Sequence, residues 1–286
     1  MKRIIPLLTI LILSVNAFSR TFSVKLYDYQ PSRSSGITEA EYTNSHGDIF
    51  NLTDPRMDIY LPDNQKAPFP CVMTVPGGGY KFVSARNEGS AVAESLLGDG
   101  IAVAVLKYRL PNGHPDIPLA DAQRAMEILR DSAVQWGIDS SRIGVIGFSA
   151  GGHLAACLLT KYKSPKSRPD FGILVYPVVT LDSALIVNTN TRKHLLNKQS
   201  PVQYPQRYSP VNFVSNATPP CAIFACQDDN TVPIKHSMLF YEKLTSHHVP
   251  AELHIYSQGG HGWGFTRNFP NRYDFERAVV EWIQKH

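Results

Sequence analysis

Ser149 stands between two glycines in the run Gly147-Phe148-Ser149-Ala150-Gly151. A serine in the pattern G-x-S-x-G suits a nucleophile turn, where a strand breaks sharply into a helix and pushes a hydroxyl clear of the sheet. The chemistry open to such a serine is acyl transfer through a covalent intermediate. The flanking glycines are required because larger side chains would collide with the neighbouring backbone. The pattern gains its weight from its surroundings. Residues 142–148 read as a short apolar strand and residues 150–156 as a small-residue helix, the context the motif demands.

A serine nucleophile needs a base, and the base needs an orienting acid. Asp228 and Asp229 directly follow the apolar run 221–225. One of the pair is expected to cap the following turn and the other to meet a histidine; the residues alone leave open which does which. His261 directly follows the apolar run 252–256 and has glycines on both sides, which suits a loop carrying an imidazole back to the serine. Other histidines fit less well: His153 lies on the helix after the serine and is expected to pack or hydrogen-bond there, while His114, His247 and His248 fall in loops. Before the serine, the continuous apolar run 69–75 ends in Pro76-Gly77-Gly78-Gly79-Tyr80. Three successive glycines leave backbone N–H groups unscreened by side chains.

The elements needed to position these groups alternate. Residues 56–62 alternate polar and apolar, as a half-exposed strand does. Buried strands are expected at 69–75, 101–106, 171–178, 221–225 and 252–256. Helices are expected at 87–97, 119–136, 191–197, 234–244 and 273–283, with a turn at 139–141. Strands alternating with helices imply an α/β fold with a mostly parallel sheet and helices on both faces. Residues 20–50 are weakly patterned and are expected to pack on the sheet edge. Residues 180–220 are polar and rich in proline, too long for a simple connection, and are expected to form a small cap over the site.

In 286 residues, an apolar share of 43% with a charged share of 18% describes an ordinary globular chain. The formal charge of +4 includes Lys2 and Arg3. The basic residues are scattered rather than striped, which argues against a nucleic-acid partner. Lys2 and Arg3 open a segment whose apolar run at 4–15 and small residues near Ala17 fit a cleavable signal peptide. Residues 1–19 are therefore expected to be removed on export, secreted or periplasmic, leaving a single domain at 20–286. Cys221 and Cys226 bracket one strand and are too far apart to bridge, and Cys71 and Cys157 sit in apolar segments, so four buried free thiols are expected.

Together, residues 76–80, 108–111, 143–153, 228–233 and 260–262 resemble the acetyl-xylan esterase and feruloyl-esterase-like group of carbohydrate esterases, within the α/β-hydrolases. The likeness runs from about Arg56 to the C-terminus. It implies removal of acetyl or similar small acyl groups from plant cell-wall polysaccharides or their oligosaccharides. It implies a triad of Ser149, His261 and an aspartate, with no metal or organic cofactor. The spacing to Val232-Pro233 in related hydrolases points to Asp229. It also implies an oxyanion hole built from the amides of Gly78, Gly79 and Ala150, although Pro76 replaces the histidine that often opens this loop. Tyr80 and Trp263, with Phe265, flank the site loops and are expected to stack on sugar rings if they do not pack in the core. Arg109 is expected to pair with Asp121 rather than touch substrate. The alternatives are a prolyl-oligopeptidase-like serine peptidase, which would need a large extra domain, and a non-catalytic binding protein on the same scaffold.

Overall fold

The computed structural model of the protein describes residues 20–28, 33–63, 68–186, 189–197 and 201–286. The proposed leader, residues 1–19, lies outside them.

The central sheet has eight strands, β1 (Arg20–Lys25), β4 (Arg56–Leu61), β5 (Phe69–Val75), β7 (Ala102–Lys107), β8 (Ile138–Phe148), β9 (Gly172–Val175), β10 (Cys221–Cys226) and β11 (Ala251–Tyr256). Their order across the sheet is β1-β4-β7-β5-β8-β9-β10-β11. Strand β4 pairs antiparallel with both β1 and β7, and the pairings from β7 to β11 are parallel. A small antiparallel sheet of β2 (Tyr42–Thr43), β3 (Asp48–Phe50) and β6 (Phe82–Ser84) lies apart from it. The helices are α1 (Ala91–Leu96), α2 (Asp116–Trp136), α3 (Ser149–Thr160), α4 (Thr189–Leu195), α5 (Tyr204–Arg207), α6 (Lys235–Ser246) and α7 (Arg272–Lys285).

Strand β7 shows why the sheet is covered on both sides. Ala102, Ala104 and Leu106 join one core with Leu129 of α2, Leu158 of α3 and Phe240 of α6. Val103 and Val105 join a second core with Val92 and Leu96 of α1 and with Phe275 and Val279 of α7. Successive strand side chains point to opposite faces, so a strand with helices on both sides must be apolar throughout. That is the apolar pattern of β5, β7, β10 and residues 143–148 of β8. The fold is that of an α/β-hydrolase.

Several elements differ from their sequence reading. Residues 20–25 do lie on the sheet edge, but as a regular strand paired along its length with β4; Phe22 and Val24 carry the alternation of a strand. Residues 139–141 run inside β8 rather than forming a separate turn, although Asp139 Oδ1 accepts the Ser141 amide at 2.9 Å in a local Asx turn and the pairing with β5 shifts register close by. The helix expected from residue 87 begins with a π-turn, Arg86–Ser90, before α1 proper. Such turns put one extra residue into the helical ladder and re-aim side chains. The four cysteines are free and buried, and burial pushes the Cys71 and Cys157 thiols up to about 12.

Candidate active site

Strand β8 ends at Phe148, and α3 begins with Ser149 itself. Ser149 has φ of 54°, a left-handed conformation that a serine adopts only under constraint from its surroundings. The constraint is visible at the flanks. A Cβ on Gly147 would sit 2.5 Å from Ala155 Cβ, and one on Gly151 would sit 2.1 Å from the Val75 carbonyl oxygen. The turn closes only because both positions lack side chains.

His261 Nε2 lies 2.9 Å from Ser149 Oγ, and His261 Nδ1 lies 2.6 Å from Asp229 Oδ2. An ionised aspartate can only accept, so Nδ1 carries the proton and Nε2 is free to accept from the serine hydroxyl. Asp229 Oδ1 accepts the Thr231 and Val232 amides, each at 2.8 Å. Asp228 is exposed and accepts the Gly259 and Gly260 amides at 3.1 and 2.8 Å. Those two bonds hold the carboxyl of Asp228 below its ordinary range.

Ser149 and His261 open on a cavity of about 510 Å³ also bordered by Gly78, Gly79, Lys81, Asn190, His194 and Val232. Helix α4, from the polar segment after β9, thus forms one wall. A larger cavity, about 800 Å³, opens elsewhere beside Arg33 and Arg109 and borders neither Ser149 nor His261. Arg109 instead forks onto buried Asp121, with Nη2 2.6 Å from Oδ1.

Of the sequence-expected site residues, Gly78 and Gly79 reach the cavity, and Ala150 follows the serine at the first turn of α3. Tyr80 and Trp263 do not border it. Tyr80 is 3% exposed, with its hydroxyl 2.9 Å from His153 Nδ1. Trp263 is 4% exposed and stacks on Phe269 at a centroid distance of 4.0 Å. Phe265 is buried beside Phe275. These rings are core, because folding covers their large apolar faces with other aromatics before any ligand could. His153 Nε2 bonds the Tyr208 carbonyl at 2.6 Å, so this ring bridges α3, the glycine loop and the segment carrying α5. Burial pushes it down to about 4, which keeps it neutral.

Sequence reasoning missed Glu88. It is 5% exposed and borders the same cavity as Ser149. Its Oε2 accepts the Gly77 amide at 2.7 Å, and its Oε1 accepts the Tyr176 hydroxyl at 2.8 Å. The signal was present: residues 88, 92 and 96 share one helical face, so an acid lies in line with buried Val92 and Leu96.

Comparison with known proteins follows the same lines. The BD-FAE family model matches residues 57–244. An acetylxylan esterase of Xylanibacter ruminicola is 35% identical over 82% of this chain and 49% of its own length. Endo-1,4-beta-xylanase B of Butyrivibrio fibrisolvens is 29% identical over 78% of this chain and 36% of its own. The chain thus spans half or less of the length of these curated relatives. A solved structure of an acetyl ester-xyloside bifunctional hydrolase from Caldicellulosiruptor lactoaceticus superposes with a TM-score of 0.78 at 33% identity, covering 92% of this chain and 96% of that one. The chain belongs to the BD-FAE family of α/β-hydrolases.

Proposed function

We propose that this protein is an exported serine esterase that removes acetyl or similar small acyl groups from plant cell-wall polysaccharides or their oligosaccharides. The observation that carries the reading is the relay Asp229–His261–Ser149, closed by contacts of 2.6 and 2.9 Å at the mouth of one cavity. The acetylxylan esterase and xylanase relatives support the substrate class.

In this reading Ser149 Oγ attacks the ester carbonyl while His261 Nε2 takes its proton. The amides of Gly78, Gly79 and Ala150 hold the oxyanion, a contribution worth about a hundredfold to a thousandfold in rate per donor. Collapse of the tetrahedral intermediate expels the sugar hydroxyl, which receives the proton from His261. Water, deprotonated by His261, then attacks the acyl-serine; the second tetrahedral intermediate breaks its bond to Ser149 Oγ, which takes the proton back from His261, and acetate leaves. Asp229 holds the imidazole tautomer and balances the imidazolium charge throughout. Residues 1–19 serve as the leader; among the described residues no helix is long and apolar enough to cross a membrane.

Hydrolysis of p-nitrophenyl acetate and of acetylated xylan, by wild type and by Ser149→Ala, tests the reading. Loss of about six orders of magnitude in kcat is expected for the variant. A Ser149→Ala protein working at the wild-type rate would overturn it. Feruloylated oligosaccharide and an aminoacyl peptide, run beside these, separate the acetyl-esterase reading from a feruloyl esterase or a peptidase.

A further inference from the structure

The carboxylate of Glu88 sits where three segments of the site meet. It lies in the π-turn Arg86–Ser90, and its own carbonyl accepts the Thr74 hydroxyl at 2.7 Å, which ties the turn to β5. Its Oε2 takes the amide of Gly77, the residue leading into Gly78 and Gly79. That backbone has no slack: a Cβ on Gly77 would lie 2.9 Å from Glu88 Oε2 and 3.0 Å from Ser149 Cβ. Its Oε1 takes the Tyr176 hydroxyl, whose oxygen in turn accepts the Gly264 amide at 2.9 Å, just beyond His261. The Tyr176 ring packs 4.6 Å from the His261 ring, centroid to centroid.

We infer that Glu88 is a positioning residue of the proposed esterase site, its carboxylate holding the glycine donor loop and the histidine loop in one frame. The inference rests on Ser149 and His261 acting as proposed above. Both partners of the carboxyl oxygens are donors, so an ionised carboxylate satisfies both at once. A glutamine, with one oxygen and one NH2 group, can accept from only one of them: its oxygen takes the Gly77 amide, and the Tyr176 hydroxyl must turn its proton away and accept instead. The charged and titratable groups facing Glu88 are Tyr176, His261, Asp48 and Tyr108. Burial raises its carboxyl above the ordinary range, against the pull of the two hydrogen bonds and of His261.

The test compares kcat and KM for p-nitrophenyl acetate in the full chain, with Ser149→Ala as control. Glu88→Gln is expected to lower kcat by about tenfold to a hundredfold with KM changed by less than about twofold. Tyr176→Phe, which removes one hydroxyl and keeps the carboxylate, should lower kcat by about threefold to thirtyfold, again with KM nearly unchanged. A folded Glu88→Gln protein with wild-type kcat, or with its loss confined to KM, overturns the inference. If that variant does not fold, Tyr176→Phe decides, and wild-type kcat there overturns the shared frame. Activity persisting in Ser149→Ala sinks the esterase reading itself, whatever the Glu88 variants do.

Discussion

Asp229 meets His261 with one carboxylate oxygen and its own loop with the other: Oδ2 lies 2.6 Å from Nδ1, while Oδ1 accepts the Thr231 and Val232 amides. One side chain therefore performs both tasks that might be divided between the two neighbouring aspartates. Asp228 instead holds the histidine loop, accepting the Gly259 and Gly260 amides at the surface.

From this division, Asp229→Asn should lower kcat by about a thousandfold to ten-thousandfold, because the amide can present the wrong tautomer to the serine. Asp228→Asn should cost less than about tenfold, since its bonds are solvent-exposed. Steady-state kinetics of the two variants decide it, and a larger loss in Asp228→Asn would reverse the assignment.

Gly78 and Gly79 border the same cavity but differ in the room behind them. A Cβ on Gly78, whose φ is 116°, would lie 2.2 Å from the Phe82 carbonyl oxygen. On Gly79, with φ of 62°, the nearest atom is Asn190 Cβ at 3.9 Å. Gly78→Ala should therefore distort the loop and lower kcat by about a hundredfold or more, as loss of an oxyanion donor does. Gly79→Ala should keep activity within about tenfold and cost about 1 kcal/mol in stability from its backbone conformation. Equal effects in kinetics and urea unfolding would show that the loop is not held as described.

The buried positions of Trp263 and Tyr80 separate stability from substrate binding. Trp263→Ala should destabilise by about 3–5 kcal/mol, the usual cost of emptying a packed aromatic site. Tyr80→Phe, losing only its bond to His153, should cost about 1 kcal/mol. In both folded variants KM for p-nitrophenyl acetate should stay within about twofold of wild type. A large KM increase with unchanged unfolding free energy would return these rings to the substrate.

Acid should destabilise the fold through two buried histidines. Burial lowers His153 and His236 from the ordinary 6.5 to about 4. Between those limits the unfolded chain binds protons that the folded chain refuses, so stability falls as pH drops through the window and then levels off below it. The pair could contribute up to a few kcal/mol. The carboxyls of Glu88 and Asp121, raised mainly by burial, oppose the trend, because the folded state holds their protons more tightly. Urea unfolding at several pH values between about 7 and about 4 should show the decline, and His153→Gln should make it shallower. An unchanged slope in that variant would remove His153 from the account.

What was legible in the sequence came from local rules. Apolar runs of strand length marked β5, β7, β8 and β10, because a parallel strand covered on both faces has no polar side to show. The glycines around Ser149, and the placing of the Asp228-Asp229 pair and His261 just after later strands, marked the groups that meet at the C-terminal ends of the parallel strands, because chain order in this fold fixes which strand ends lie together; between the two aspartates the residues alone did not choose. What only the tertiary structure decided depended on neighbours distant in the chain. Tyr80 and Trp263 look alike in sequence whether they face a ligand or a core, and packing against His153 and Phe269 decided for the core. Glu88 falls in line with the apolar face of its helix in sequence, but only the fold supplies Gly77 and, 88 residues on, Tyr176 as the donors that make a buried carboxylate tolerable.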